Sequence, residues 1–321
     1  MSEPTSRLNL IQRAMQRAAL ERPPAVAGET VLREETNGRA QSAFAEPMAV
    51  NGAAAVQRKE PEPARAEAKP ARSEAEPVSL DYAKLRASRI STPDNKNSST
   101  YNEFRSLKRK LLPMTRDPNT GAMTRNVIMV TSALPGEGKT FTVMNLAIGL
   151  AAERNLNVIL VDGDVVRGSV ANYFHGEDQD GLVELLTEKR ERIDEVLHPC
   201  ADLPGLHVLF AGKHHETTPE LLASRRMADI CAMLSKRFQN SIVIFDTPPV
   251  LAASEPASMV AHAHHLIMLV ASGQASRHQV EEALAEVSSC PSISLLFNRS
   301  PQWERPLSYP YYYYGYGRDK S

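Results

Sequence analysis

The sequence predicts an α/β fold built on a doubly wound, mainly parallel β-sheet. Between residues 125 and 300, short apolar runs alternate with segments of helical periodicity. The runs are nearly continuously apolar, which is typical of strands that helices cover on both faces. Two of the runs end in aspartate, and such sheets bind ligands at the carboxyl ends of their strands. The same apolar runs therefore predict both the fold class and the edge of the sheet at which a ligand would bind.

Six apolar runs are the candidate strands of this sheet. They are Val127–Ser132, Val158–Asp162, His207–Phe210, Ile242–Asp246, Leu266–Val270 and Ile293–Phe297. The clearest helical segments between them are Thr140–Glu153, Arg225–Arg237 and Arg277–Val287. Because a helix lies between successive strands, parallel crossover connections are expected.

The remaining segments flank this domain, which is predicted to span residues 125–300. Residues 1–79 are predicted to be mostly disordered, with a short helix at 6–21. Their Ala-, Glu- and Pro-rich composition buries too little apolar surface to offset the entropy of ordering. Residues 80–124 are predicted to form a helical interface segment. Residues 301–321 read as a flexible, tyrosine-rich tail.

Charge and composition limit the classes of function. The chain has 37 Lys and Arg against 38 Asp and Glu, so bulk electrostatics gives no reason to expect a nucleic-acid partner. No apolar run approaches the roughly 18 residues that span a bilayer, and the amino terminus lacks the apolar core of a secretion signal. We expect a cytoplasmic protein that reaches a membrane through a partner or a surface helix.

A glycine-rich loop, Ala133–Thr140, lies between the first candidate strand and the first helix. This context is that of a P-loop, with Ala133 in place of the usual first glycine. Lys139 is expected to reach the β- and γ-phosphates of ATP, and Thr140 to ligate Mg²⁺. The sheet is therefore predicted to be of the P-loop NTPase type. The expected contacts to ATP are Pro135, Gly136, Glu137, Gly138, Lys139, Thr140 and Phe141.

Three carboxylates at strand ends complete the predicted site. Asp246 is suited to hold Mg²⁺ directly or through water. Asp162 and Asp164 are candidates to accept a proton from an attacking hydroxyl or to help hold the metal. The predicted metal ligands are Thr140, Asp164 and Asp246, and the predicted catalytic residues are Lys139, Asp162 and Asp164.

From the loop onward, the sequence resembles the bacterial tyrosine kinases of exopolysaccharide and capsule systems. The resemblance is strongest to the autokinases found beside exosortase-associated polysaccharide loci. The motifs that carry it are Ser132–Thr140, Asp162-Gly-Asp164, Pro219–Ser224, Asp246-Thr-Pro-Pro249 and the terminal tyrosine cluster. They fall within about residues 101 to 317 of the chain.

The resemblance implies a function, partners and acceptor residues. It implies an ATP-dependent protein-tyrosine autokinase that modifies its own tail, usually between subunits of a ring, with Asp162 as the base. It further implies regulation of exopolysaccharide synthesis or export, beside a membrane chain-length-determinant (polysaccharide co-polymerase) protein and a tyrosine phosphatase. Recruitment to the inner membrane would come through such a partner. The predicted phosphoacceptors are Tyr309, Tyr311, Tyr312, Tyr313, Tyr314 and Tyr316.

Some positions depart from the family pattern. The interface helix of these kinases reads Glu-x-x-Arg-x-x-Arg, and the matching residues here are Asn102, Arg105 and Lys108. Val166 replaces the first of two basic residues after the second motif. Partition-type ATPases have a lysine where this chain has Leu134, which favours the kinases. Two other functions remain possible for this sequence instead of an autokinase. One is a partition-type ATPase switch, and the other is an adaptor that only binds ATP.

Overall fold

The computed structural model describes residues 74–95, 99–176, 179–213 and 218–300. The predicted helix at 6–21 and most of the predicted linker lie outside the described residues. So do the tail, 301–321, and all six predicted phosphoacceptor tyrosines.

The described strands form one large and one small sheet. Their bounds are β1 Ser79–Leu80, β2 Val127–Ser132, β3 Asn157–Asp162, β4 Phe174–His175, β5 Leu197–Pro199, β6 Leu206–Leu209, β7 Ser241–Asp246, β8 His265–Ala271 and β9 Ile293–Asn298. The large sheet has the order β5-β6-β3-β7-β2-β8-β9. Only β5 runs antiparallel to its neighbour. The predicted doubly wound, mainly parallel α/β fold is confirmed, and each of the six predicted strands is present.

Helices cover both faces of the large sheet. They are α1 Tyr82–Ala87, α2 Ser99–Met114, α3 Lys139–Ala151, α4 Leu182–Leu186, α5 Thr218–Leu222, α6 Arg225–Lys236, α7 Glu255–Met259 and α8 Arg277–Glu286. Short 3₁₀ turns lie at Val170–Tyr173, Ile193–Glu195 and Val260–His262. Among the helices of this part of the chain, none has the length and apolar character needed to cross a membrane.

The strands are continuously apolar because each face of the sheet has its own core. Within β2, Val127 and Met129 pack into one cluster of buried residues, and Ile128 and Val130 pack into another. This division follows the pleat, which points successive side chains to opposite faces. Every residue of β2 is buried, so a polar side chain in the strand interior would have no access to water.

Helix α2 is fastened to α3 by a buried lysine. Lys108 is 3% exposed, and its Nζ donates hydrogen bonds to the carbonyl of Gly149 at 2.6 Å and to Oε1 of Glu153 at 2.7 Å. Its ammonium also lies 5.5 Å from the centre of the Tyr101 ring. A buried ammonium is tolerated only when it is paired and hydrogen-bonded, so these contacts fix α2 in place.

The segment before α2 belongs to the folded domain. Strand β1 pairs antiparallel with β4, and Ala75 N–H donates to the carbonyl of Asp194. The sequence predicts a linker as far as residue 79. The structure instead buries Val78, which is 4% exposed, beside Leu80 at 2%. Both side chains pack into the core on the α3 face, and this burial offsets the entropy of ordering residues that the average composition assigns to a linker.

Candidate functional site

The glycine-rich loop joins the carboxyl end of β2 to α3. Gly136 and Gly138 have φ values of 80° and 95°, a left-handed conformation that disfavours side chains. A Cβ at Gly138 would collide with the side-chain amide of Asn298, which would have to move and give up its hydrogen bond to the Glu137 carbonyl. The first N–H groups of α3 have no partner within the helix. These groups and the loop backbone are of the kind that binds anions, so the phosphate contact stays a prediction that the geometry allows.

Two side chains hold this loop in shape. Glu137 is 0% exposed, and its carboxylate accepts hydrogen bonds from the N–H groups of Leu134 at 2.8 Å and Ala271 at 3.0 Å. Asn298 Nδ2, at the end of β9, donates to the Glu137 carbonyl at 2.8 Å. The Glu137 side chain therefore ties the loop to β8, which leaves its backbone N–H as the group for a phosphate.

Phe141 contributes to the site through its backbone rather than its ring. Its ring centre lies 5.9 Å from that of Phe104 on α2, in an edge-on arrangement. Its side chain is half-buried against the core on that face. The N–H of Phe141, in the first turn of α3, is the atom that can serve the predicted phosphate contact.

A cluster of two hydroxyls and one carboxylate lies behind the loop. Thr140 Oγ1 donates to Asp246 Oδ2 at 2.6 Å. Ser169 Oγ lies 2.9 Å from Thr140 Oγ1 and donates to Asp246 Oδ2 at 3.5 Å. Thr140 and Asp246 were predicted as metal ligands, whereas Ser169 was not. The only signal for Ser169 in the sequence is its place in the loop that follows the second motif, and loop folding alone brings it here.

Asp246 is a carboxylate held away from water. It is 1% exposed, and its Oδ1 has no hydrogen-bond partner among the described residues. Burial raises the pKa of Asp246 to about 6, although the Thr140 hydroxyl and the Lys139 ammonium act to lower it. A desolvated carboxylate oxygen beside a threonine hydroxyl suits a hard divalent cation, which prefers oxygen ligands. The residues present therefore fit Mg²⁺.

Asp162 and Asp164 have different surroundings. Both Asp162 oxygens accept backbone hydrogen bonds, Oδ1 from Asp164 N–H at 3.2 Å and Oδ2 from Val170 N–H at 2.9 Å. Asp162 is 0% exposed, and its burial, with Asp246 nearby, holds its pKa well above 3.8. Asp164 is 7% exposed and accepts a single N–H, from Arg167 at 3.2 Å. Asp162 thus organises the loop from 162 to 170.

Gly163 lets the two acidic strand ends approach each other. Its N–H donates to the carbonyl of Asp246 at 2.7 Å. A Cβ at this position would lie 3.0 Å from that same oxygen, so a larger residue would push β3 and β7 apart. The close approach brings the carboxylates of both motifs to one edge of the sheet.

Lys139 brings the positive charge of the site. Its Nζ lies 3.4 Å from Ser132 Oγ. Burial lowers the pKa of Lys139, and the carboxylates of Asp246 and Asp164 oppose that effect. One cation facing several carboxylates is the arrangement expected when a polyphosphate and a divalent metal complete the charge balance.

Three comparisons place the chain among known proteins. Residues 125–291 match the model of a protein family described as an AAA domain. The chain is 31% identical over 165 residues to the tyrosine-protein kinase YwqD of Bacillus subtilis, covering 51% of this chain and 68% of that one. It is 31% identical over 194 residues to the putative tyrosine-protein kinase EpsB of Ralstonia nicotianae. That match covers 60% of this chain but only 24% of EpsB, about a quarter of its length.

The fold has solved counterparts. The kinase domain of the Escherichia coli tyrosine kinase ETK superposes with a TM-score of 0.56 at 24% identity. The superposition covers 74% of this chain and 94% of that domain. This likeness concerns the fold, and it agrees with the P-loop architecture that the sequence predicts.

Proposed function

Because this chain carries the AAA domain and belongs to the family of the bacterial tyrosine-protein kinases, we propose that it is an ATP-dependent protein-tyrosine autokinase. The family resemblance predicted from the motifs is thereby confirmed. The proposed activity transfers the γ-phosphoryl group of ATP to tyrosines of the carboxyl-terminal cluster.

The cluster formed by Thr140, Ser169 and Asp246 is the observation that carries this proposal. It supports a metal-dependent phosphoryl transfer because a buried carboxylate oxygen lies beside a hydroxyl at the foot of a phosphate loop. In this proposal, Thr140 and Asp246 hold Mg²⁺, and Asp164 lies beside the metal without binding it. Bound Mg²⁺ would supply neutralisation of charge on the phosphate oxygens.

The chain's own groups would then orient and stabilise the phosphates. The loop backbone from Pro135 to Thr140 and the first turn of α3 would bind them through N–H groups. Lys139 would stabilise the negative charge that develops on the transferred group. Glu137 would keep the loop rigid, so that these donors need no reorganisation during transfer.

We assign proton acceptance to Asp164 and loop positioning to Asp162. A tyrosine phenol has a pKa of about 10 and is protonated at neutral pH, so a carboxylate within hydrogen-bond reach must accept its proton. Both oxygens of Asp162 already accept backbone N–H groups. Asp164 is the less buried of the two and has the greater free accepting capacity.

We propose that the cluster Tyr309–Tyr316 supplies the acceptors. The chain leaves β9 at Asn298, whose side chain touches the loop itself. Tyr309 lies eleven positions after Asn298, a stretch that spans up to about 36–40 Å when extended. The tail can therefore reach a site on its own chain or on a neighbouring copy, and adjacent tyrosines raise the local acceptor concentration.

Intact-mass measurement after incubation with MgATP tests the proposal. The full chain should gain phosphate mass, and peptide mapping should place it within Tyr309–Tyr316. A chain ending at residue 308 should bind ATP as the full chain does and lose most of the phosphotyrosine. Lys139→Ala should gain none. ATP hydrolysis with no phosphate mass on the protein would instead indicate the partition-type ATPase switch.

We propose further that this activity regulates exopolysaccharide biosynthesis or export. The expected setting is the cytoplasm, with recruitment to the inner membrane by a chain-length-determinant (polysaccharide co-polymerase) protein, and with a tyrosine phosphatase to reverse the modification. Each added phosphate contributes about −1.5 to −2 charges at neutral pH. Accumulated charge on gathered tails would loosen self-association.

Self-association into a ring would use contacts that differ from the family pattern. Lys108, at the third position of the interface motif, is buried within the chain and paired with Glu153. Asn102 and Arg105, at the other two positions, are exposed. We propose that Asn102 and Arg105 are the residues of α2 that contact a neighbouring copy.

A further inference from the structure

One face of the last strand, β9, leaves large apolar side chains exposed. Leu295 is 45% exposed and Phe297 is 58% exposed. They lie two residues apart on the same strand, so they point to the same face of the sheet. Among the described residues, only Val166 and Met233 are also exposed large hydrophobics, and each lies elsewhere. We call Leu295 and Phe297 the β9 patch.

The β9 patch continues a face that is buried further along the same strand. Ile293, two residues earlier, packs against the core cluster that contains Ala283 and Val287 of the α8 region. This core therefore covers the beginning of β9 on that face, whereas Leu295 and Phe297 remain exposed. Strand β9 is also the edge strand of the seven-stranded sheet, so no further strand of that sheet shields the patch.

The chain itself supplies a partner for this patch. Arg299, directly after β9, has a φ of 55°, a left-handed conformation that turns the backbone out of the strand direction. Trp303 follows four residues later and is the only tryptophan of the chain. Five residues from Asn298 to Trp303 span up to about 17 Å, and Leu295 lies only about 10 Å back along the strand. Trp303 can thus fold back onto either member of the patch.

We infer that the β9 patch is the docking surface for Trp303 of the same chain. Tryptophan offers a large apolar area with few rotatable bonds, which makes it an efficient anchor. Docking would hold Tyr309, six residues further on, within about 20 Å of β9. The first residues of the tyrosine-rich tail would then be held near the phosphate loop, which the Asn298 side chain contacts.

Intrinsic fluorescence tests this docking directly, because a single tryptophan reports on it. In the full chain without nucleotide, Trp303 should emit at shorter wavelength than free tryptophan and resist quenching by acrylamide. The double variant Leu295→Ser/Phe297→Ser should shift the emission to longer wavelength and raise the Stern–Volmer constant several-fold. Met233→Ser, an exposed apolar position on α6, is the matched control and should change neither. Phe297→Leu keeps an apolar side chain and should retain most of the protection.

A second measurement leaves the patch intact. In Trp303→Gly, the amides of β9 should exchange with deuterium faster than in the unaltered chain, while those of β2 and β7 should not change. Full exposure of Trp303 in the unaltered chain would overturn the inference. So would protection that disappears on dilution, which would indicate a second copy as the occupant, or protection that survives the double variant. None of these measurements requires phosphate transfer, so their outcome is independent of the proposed kinase activity.

Discussion

Replacing Asp246 with asparagine should stabilise the ligand-free protein at pH 8. Asp246 is buried, and its Oδ1 has no hydrogen-bond partner among the described residues. An ionised carboxylate in that position carries a desolvation penalty. Asparagine has nearly the same shape and keeps an oxygen that can accept the Thr140 hydroxyl. The substitution therefore removes the charge and preserves the contact.

The expected magnitude follows from the pKa of Asp246. The pKa lies at about 6 in the folded protein against an ordinary 3.8. At about 1.4 kcal/mol for each pH unit, this difference corresponds to about 3 kcal/mol. Between those two pH values the folded state keeps a proton that the unfolded state has lost, so wild-type stability falls as the pH rises. Above pH 6 the penalty is fully present, and below pH 4 it is absent.

Urea unfolding in EDTA at pH 8 and pH 4.5 measures this effect. Asp246→Asn should gain about 2–3 kcal/mol over the unaltered chain at pH 8 and about 1 kcal/mol or less at pH 4.5, with the same slope against urea. Added MgATP should stabilise the unaltered chain by mass action and the variant much less. Asp229→Asn, at an exposed position on α6, is the control and should stay within about 0.5 kcal/mol at both pH values.

An equal gain at both pH values would refute the assignment of the penalty to an ionised Asp246. A loss of stability at pH 8 would refute it as well, because the carboxylate would then be better solvated than its burial indicates. If MgATP stabilised the variant as much as the unaltered chain, Asp246 would not be a ligand of the metal.

Two further predictions concern the second motif and the buried lysine. Asp164→Asn should lower single-turnover transfer to tyrosine while ATP affinity is retained. Asp162→Asn should weaken ATP binding as well, because an amide can accept only one of the two backbone N–H groups, of Asp164 and Val170, that the carboxylate accepts. If both variants lost tyrosine transfer and ATP affinity to the same extent, this division of roles between Asp162 and Asp164 would be wrong. Lys108→Ala should destabilise the protein by about 1–3 kcal/mol in urea unfolding because the buried carbonyl of Gly149 loses its donor. Arg109→Ala, on the exposed side of α2, should change stability by less than about 0.5 kcal/mol. Equal effects of the two would show that Lys108 does not fasten the helix.

The strands that the sequence predicts are those with a long buried apolar run. Val127–Ser132 is predicted with the bounds that the structure has. β5 was not predicted, because its three residues include Pro199 and a polar histidine. β1 and β4 have two residues each, too few for any periodicity to appear. Such strands depend on pairing with distant segments, which a local pattern does not contain.

Motif spacing predicts where the backbone of the site lies. It does not predict which hydrogen-bond partners a side chain of the site takes. The P-loop spacing predicts that Lys139 and Thr140 lie near the acidic strand ends, and Thr140 contacts Asp246 in the structure. The same spacing does not reveal that the Glu137 carboxylate turns back to the Leu134 and Ala271 backbone. The position of Ser169 depends on the path of a loop that two Asp162 hydrogen bonds determine.

The buried segment before α2 determines where this protein can be cut. Leu80, Leu85 and Ile90 are all nearly inaccessible to water and belong to the core that also contains α3. A fragment beginning at Ser99 would uncover that core and would be prone to aggregate. It would also lose the N–H of Ser91, which donates to the Asn145 side chain on α3 at 2.9 Å. Because α3 starts at the phosphate loop, limited proteolysis near residue 90 should impair nucleotide binding without removing any residue that we propose contacts the nucleotide.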